Sequence, residues 1–164
     1  MSGILDIPEA IEQSEVFTGI SRDYLRMISN IAMTESCSIG DVIIEHGSTT
    51  KDLYIIAAGE IDILVDQSQV GNYHTESLVR IATLRRGETF GEIAIIDDGN
   101  RSATAICGQS DTHLVSIPRD KLLDLCQEYP NLGFLIMRNL AISLATTLRN
   151  RTTEFQLREL LALA

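Results

Sequence analysis

Three regimes of hydrophobic patterning succeed one another along this chain. In SRDYLRMISNIA, Ser21 to Ala32, the apolar positions Tyr24, Leu25, Ile28, Ile31 and Ala32 keep to one helical face, and Ser21 is placed to cap the start. A shorter helical candidate, PEAIEQSEVF, begins at Pro8. The character changes at Cys37. Gly40, Gly47 and Gly59 then punctuate short β-branched runs: Val42 to Ile44, Tyr54 to Ile56 and Ile61 to Val65. The last of these begins by alternating polar and apolar residues, as a half-buried strand does. DQSQVGNYHTE predicts a polar hairpin, and further strands are expected in SLVRIATLRRG and SATAICGQSDTHLVSIP. Many short strands separated by glycine turns predict a small barrel or sandwich.

Past Pro118 the helical period returns. PRDKLLDLCQEY places Leu122, Leu123, Leu125 and Cys126 mostly on one side, and Pro130 interrupts it. The last segment, Asn131 to Ala164, contains no proline and is too apolar up to Leu148 for a helix with a single buried face. One face is expected against the barrel. The other is expected against a second copy of the chain, along the coiled-coil-like series Met137, Ala141, Leu144 and Leu148. RNRTTE interrupts that seam. The expected organisation is one domain over residues 1–148 and a helical extension over 149–164.

Composition narrows the function. Hydrophobic residues are 45% and charged residues 22% of the 164, ordinary for a globular protein, while the absence of Trp leaves aliphatic side chains to fill the core. The formal net charge of −10 argues against nucleic acid as the main partner. Any anionic ligand must be held by local groups that overcome this field. Cys37, Cys107 and Cys126 are odd in number and widely spaced, the usage of a cytoplasmic protein with reduced thiols. MSGILDIPEA carries acids where a secretory leader needs bases, and no stretch approaches the roughly 20 apolar residues of a membrane span.

One segment combines apolar character with two isolated charges. In FGEIAIIDDGNRSATA, Phe90 to Ala105, Glu92 stands near the start and Arg101 towards the end. Together with the upstream GDVIIEHG, LYIIAAGEIDI and LRRGETFGEIAII, this segment resembles the cyclic nucleotide-binding domain. That is the module of catabolite activator proteins, of the regulatory subunits of cyclic-nucleotide-dependent kinases, and of cyclic-nucleotide-gated channels. The resemblance runs from about Val16 to Leu148 and is carried by the cassette Phe-Gly-Glu-Ile-Ala followed by Arg-Ser-Ala-Thr.

The resemblance implies a mainly β fold, a double-stranded β-helix or jelly-roll-like barrel with N-terminal helices and a long C-terminal helix. It implies a ligand, cAMP or cGMP, and no other cofactor. In the family the cassette glutamate accepts the ribose 2′-hydroxyl, a role this assigns to Glu92, and an ionised carboxylate is suited to a hydroxyl donor. The cassette arginine grips the exocyclic phosphate oxygens, which implies that role for Arg101 and its planar fork of donors. Gly91 is expected to let the backbone approach the phosphate, Ile93 fills the hydrophobic cassette position, and Ala94 and Ala103 keep the wall low. Asn100 stands where the family often has proline. Ser102 follows the arginine and, in some members, a hydroxyl there helps read a guanine amino group, so the choice of base stays open. In dimeric bacterial members, hydroxyl residues on the long helix meet the base, and Thr146 and Thr147 lie at the matching distance.

His46, His74 and His113 are too scattered for the clustered ligands of a cupin-type metalloenzyme, so no metal site is expected. No nucleophile, base and orienting acid form a catalytic set. Residues 149–164 are too few for a three-helix DNA-binding unit. The sequence therefore predicts a cytoplasmic, non-catalytic sensor, homodimeric through its C-terminal helix, acting on an effector protein and without nucleic acid or membrane partners. The alternative is a degenerate dimer of the same fold that serves as a protein-interaction scaffold and binds no nucleotide.

Overall fold

A computed structural model describes residues 6–66 and 78–163. The hairpin expected in DQSQVGNYHTE, with His74, lies almost wholly outside these residues. The chain opens with α1 (Ile7–Gln13), a 3₁₀ turn (Glu15–Phe17) and α2 (Arg22–Ile31). Asp6 caps α1 and Ser21 caps α2, the Ser21 hydroxyl accepting the Tyr24 amide at 3.4 Å. The strands are β1 (Met33–Cys37), β2 (Val42–Ile44), β3 (Leu53–Ala58), β4 (Glu60–Asp66), β5 (Leu78–Arg85), β6 (Thr89–Phe90), β7 (Thr104–Cys107) and β8 (Thr112–Ile117). The short α3 (Ile93–Asp97) interrupts them, and α4 (Arg119–Glu128) and α5 (Pro130–Ala162) complete the chain.

Two antiparallel four-stranded sheets, ordered β1-β8-β3-β6 and β2-β7-β4-β5, face each other as a jelly-roll-like barrel. β3 shows why its run is apolar without alternation. Successive side chains of a strand point to opposite faces. Leu53 and Ile55 join the core under the helices, whereas Tyr54 and Ile56 join the core between the sheets. Both faces are buried, so both must be apolar. At Gly59 the chain crosses from β3 to β4, with φ at +88°, and a Cβ there would stand 2.1 Å from the Thr112 hydroxyl. β1 carries no alternation because Met33 to Ser36 are exposed and only Cys37 is buried. It is held through its pairing with β8 rather than by a buried face.

Pro130 ends α4 and occupies the first turn of α5, where a missing amide costs nothing. α5 then runs unbroken for 33 residues, through Leu148 and through RNRTTE. Leu132, Ile136 and Leu140 fix its first turns in the helical core. Asn139, also buried, donates from Nδ2 to the Val16 carbonyl at 3.0 Å and the Thr18 carbonyl at 2.9 Å. Met137 packs against that same core, so it does not share an outward face with Ala141 and Leu148 as the series expected. The exposed apolar positions at a seven-residue interval are Phe134, Ala141, Leu148 and Phe155. By length and composition alone α5 also suffices to cross a membrane, with a mean hydropathy of 1.2 over its most apolar window. The sequence shows no uniform apolar run because Arg138, Asn139 and Ser143 are scattered along it.

Replacing Asn139 by Ala leaves two carbonyls near the core without their donor. Unpaired buried groups of this kind cost about 1–3 kcal/mol each. Asn139→Ala should lower the unfolding free energy by roughly 2–4 kcal/mol in urea titration, with little change in the slope m.

Candidate functional site

The segment from Phe90 to Ala105 is built outward from the barrel. Phe90 stacks on Tyr54, ring centroids 5.0 Å apart and 11° from parallel, which fixes the end of β6. Gly91 then turns the chain with φ at +83°, Glu92 begins α3, and Ala94 and Ile95 bury that short helix. The chain leaves α3 through Asp98, itself at φ +57°. Lys51 holds this turn through the carbonyls of Asp98 and Gly99, and the Asp98 carboxylate lies 3.7 Å from Lys51 and 3.6 Å from Arg119. Arg101 is fixed at its backbone by Ser48 and Gly47, its amide donating to the Ser48 carbonyl and its carbonyl accepting from the Gly47 amide.

The Arg101 side chain is only 4% exposed. Its Nε donates to the Thr50 hydroxyl at 3.2 Å, Nη1 to the Gly91 carbonyl at 3.1 Å and Nη2 to the Asp52 carbonyl at 2.7 Å. A guanidinium has five N–H donors, so two remain for a further acceptor. Burial lowers the Arg101 pKa, while Tyr54, Asp52 and Glu92 oppose that shift. Gly91 makes this packing possible. A Cβ on it would lie 2.7 Å from Arg101 Nη1 and 2.8 Å from the Asp52 carbonyl oxygen. Gly91 lines the cavity, and the group that approaches it within the protein is the guanidinium.

Glu92 is half-buried and its carboxylate makes no capping bond to α3. Burial raises its pKa above the ordinary value, its own amide lowers it, and the nearby Glu15 carboxylate adds to the rise.

These residues border one cavity of about 350 Å³, near the lower end of ordinary small-molecule pockets at roughly 300–1,000 Å³. Gly91, Glu92, Ile93, Ala94, Arg101, Ser102, Ala103 and Thr147 all line it. Thr146 is not among the lining residues and is exposed on α5. Residues not singled out in the sequence also line the cavity, among them Glu15, Glu88, Thr89, Ser143 and Arg151. Ser143 donates to Glu15 Oε1 at 2.6 Å across the gap between α5 and the 3₁₀ turn. Ser143, Thr147 and Arg151 recur at i, i+4, i+8 on α5, a polar stripe on an apolar helix, which is the signal that identifies them. His46 follows β2 and His113 lies on β8; among the described residues no three His, Cys, Asp or Glu side chains gather as a metal would need.

The family model of the cyclic nucleotide-binding domain matches residues 34–129, which include both charged groups of the cavity. The chain belongs to this family. The cyclic AMP receptor protein of Thermus thermophilus is 28% identical over 144 residues, covering 88% of this chain and 62% of that protein. Human cGMP-dependent protein kinase 2 is 34% identical over 101 residues, 62% of this chain and 13% of the kinase. The crystal structure of the Thermus thermophilus catabolite activator protein superposes with a TM-score of 0.72 at 27% identity, covering 89% of this chain and 63% of that one. A cyclic nucleotide-binding domain from Methylobacillus flagellatus shares the fold at a TM-score of 0.73 and 22% identity, over 88% of this chain and 77% of its own. This cyclic nucleotide-binding domain thus spans less than two thirds of the length of the curated relatives it matches.

Two outcomes follow from the Gly91, Arg101 and Glu92 arrangement. Gly91→Ala forces a Cβ into the guanidinium and strains a left-handed residue, so it should destabilise the protein by roughly 1–3 kcal/mol in urea unfolding. The Glu92 pKa is raised in the fold, so ionising it works against folding. That penalty is absent below the unfolded value near 4.5 and builds as pH rises through the raised folded value. Glu92→Gln should therefore increase the melting temperature of the ligand-free protein at neutral pH, and the gain should vanish at pH 4.

Proposed function

We propose that this protein is a non-catalytic sensor of a purine cyclic nucleotide that acts by presenting a changed surface to a protein partner. The observation that carries this reading is the enclosed Arg101 guanidinium, with donors to spare, bordering the same cavity as the Glu92 carboxylate. An anion of one charge meets Arg101, and a hydroxyl on its sugar meets Glu92. Charge-assisted bonds contribute about 1.5–3 kcal/mol each, enough to retain a small anion despite the net charge of −10. The low walls at Ala94 and Ala103 and the apolar Ile63, Ile81 and Leu84 suit a flat base beyond the sugar.

The cavity opens against α5, and this gives binding a route to an output. Ser143, which borders the cavity, is bonded to Glu15, so a ligand seated between barrel and helix bears on that bond. The helix carries an exposed apolar stripe, with Phe134 68%, Leu148 69% and Phe155 65% exposed, and this supports a homodimer through α5. The acidic surface favours a protein effector over nucleic acid, and a cytoplasmic place fits the free thiols of Cys37, Cys107 and Cys126.

Calorimetric titration of the purified protein with cAMP and with cGMP tests the reading. Binding is expected for at least one of them, weakened about tenfold or more by Arg101→Ala and by Glu92→Ala. No heat from either nucleotide at millimolar concentration would leave only a scaffold of the same fold. Binding untouched by Arg101→Ala would place the ligand elsewhere.

A further inference from the structure

A second groove, of about 280 Å³, lies between β5 and α5 beside the nucleotide cavity. Val79, Arg80 and Ile81 of β5 form one wall. Arg151, Glu154, Phe155 and Arg158 form the other, and their i, i+3, i+4, i+7 spacing sets them on one face of α5. The strand meets the groove at an irregularity. Ile63 pairs with Ala82 and Leu64 with Arg80, so Ile81 stands opposite no residue. An extra residue of this kind bends its strand and re-aims the side chains beside it. β5 is also the last strand of its sheet, so this wall is an edge.

The sign of its charge sets the groove apart. The chain carries 23 acidic and 13 basic side chains, yet three arginines and one glutamate line this groove. The arginines are loosely held. Arg80 lies 3.5 Å from Asp62 and Arg151 lies 4.0 Å from Glu154, with both arginine side chains exposed. Asp62 is also engaged elsewhere, accepting from the Thr83 hydroxyl at 2.6 Å. Among the described residues Arg158 makes no ion pair. Exposed pairs of this kind contribute little. The guanidiniums therefore keep donors for an outside carboxylate, which each can meet with two parallel bonds. Val79, Ile81 and Phe155 place apolar surface among these charges.

We infer that this groove docks an acidic segment of the partner protein, one that combines carboxylates with apolar side chains, and that docking is coupled to nucleotide binding. The inference gives the effector its chemistry and rests on the proposed function above. Charge complementarity selects the occupant. Carboxylates meet Arg80, Arg151 and Arg158, and the apolar side chains between them cover Val79, Ile81 and Phe155. A long polyanion such as nucleic acid needs many cations in a row, and the net charge of −10 opposes it. A short peptide needs only the local field, which falls off within about 10 Å. The coupling comes from a shared wall, because Ile81 and Arg151 line the nucleotide cavity as well as the groove. Each ligand must then change the affinity of the other by the same factor.

Fluorescence anisotropy of the full chain with a fluorescein-labelled peptide, Glu-Glu-Leu-Phe-Glu-Glu, tests this. The same peptide with glutamines for its glutamates is the control for charge. Arg80 and Arg158 border the groove but not the cavity, so combining Arg80→Glu with Arg158→Glu reverses the groove and spares the nucleotide site. The acidic peptide is expected to bind about tenfold or more tightly than the glutamine peptide, and the double variant to lose about tenfold or more. Unchanged nucleotide binding by that variant, without peptide, reports that it is folded. Saturating cAMP or cGMP, whichever binds, should shift the dissociation constant of the peptide severalfold, and saturating peptide should shift that of the nucleotide equally. Equal binding of the two peptides, or binding untouched by the double variant, overturns the docking site while the sensor reading stands. So does tighter, variant-sensitive binding of a single-stranded oligonucleotide or of phosphatidylserine vesicles. A changed oligomeric size in the double variant would give the groove to a second copy of the chain and overturn it too. Peptide affinity indifferent to a nucleotide that binds overturns the coupling. If neither nucleotide binds, the sensor reading and the coupling fall, and the peptide measurements alone decide the groove.

Discussion

A buried guanidinium imposes its requirements on everything around it. Arg101 is almost fully enclosed, and a cation taken out of water must find acceptors or become a large penalty. The Gly91 and Asp52 carbonyls and the Thr50 hydroxyl answer that need. They come from both sides of the barrel's open end: the turn before β3 and the turn after β6. The arginine thus joins two loops that the sheet topology alone would leave independent. It also dictates the residue at 91, because any side chain there would occupy the volume of the guanidinium. The Arg101 packing and the local fold are consequently one arrangement.

The barrel supports this arrangement by burying one sheet on both faces. β3 and β8 contribute alternate residues to the helical core and to the core between the sheets. The helices therefore pack on the back of the sheet whose front carries Tyr54, and Tyr54 stacks on Phe90 one residue before Gly91. The chain of contact from α5 to the cassette is short and consists of packed side chains. Glu92 shows the opposite economy. Its burial beside Glu15 raises its pKa, so the free protein holds a carboxylate in a place that favours its neutral form. A hydroxyl donor delivered to it relieves part of that strain.

Much of this was legible in the residues, for reasons that differ element by element. Ser21 and the periodicity behind it located α2 because capping and amphipathicity are local. Glycines at turns and β-branched runs located β2, β3 and β4. The cassette identified Glu92 and Arg101 because two isolated charges in an apolar run stand out, and both line the same cavity. β1 escaped because four of its five residues are exposed and its pairing with β8 lies far away in the chain. Met137 was assigned to the wrong side of α5 because the sequence does not reveal which side of an apolar helix the barrel takes, and it packs against the core. Ser143 and Arg151 were hidden for a related reason. Their relation to Glu92 is created by the docking angle of α5, which is set by Leu132, Ile136 and Leu140 and by the Asn139 bonds to the 3₁₀ turn.

That same docking leaves α5 held at one end. Its core contacts finish near Leu140, and the twenty residues from Ser143 to Ala162 extend about 30 Å at the 1.5 Å rise of a helix. A rigid rod pivoted at its base multiplies angle into displacement. A tilt of ~10° at Asn139 carries the far tip about 5 Å, a distance comparable to one helical turn. The cavity lies close to the pivot and the leucine-rich tip lies far from it. A tilt too small to disturb the barrel's hydrogen bonds would therefore be large enough at the tip to alter which surface it presents.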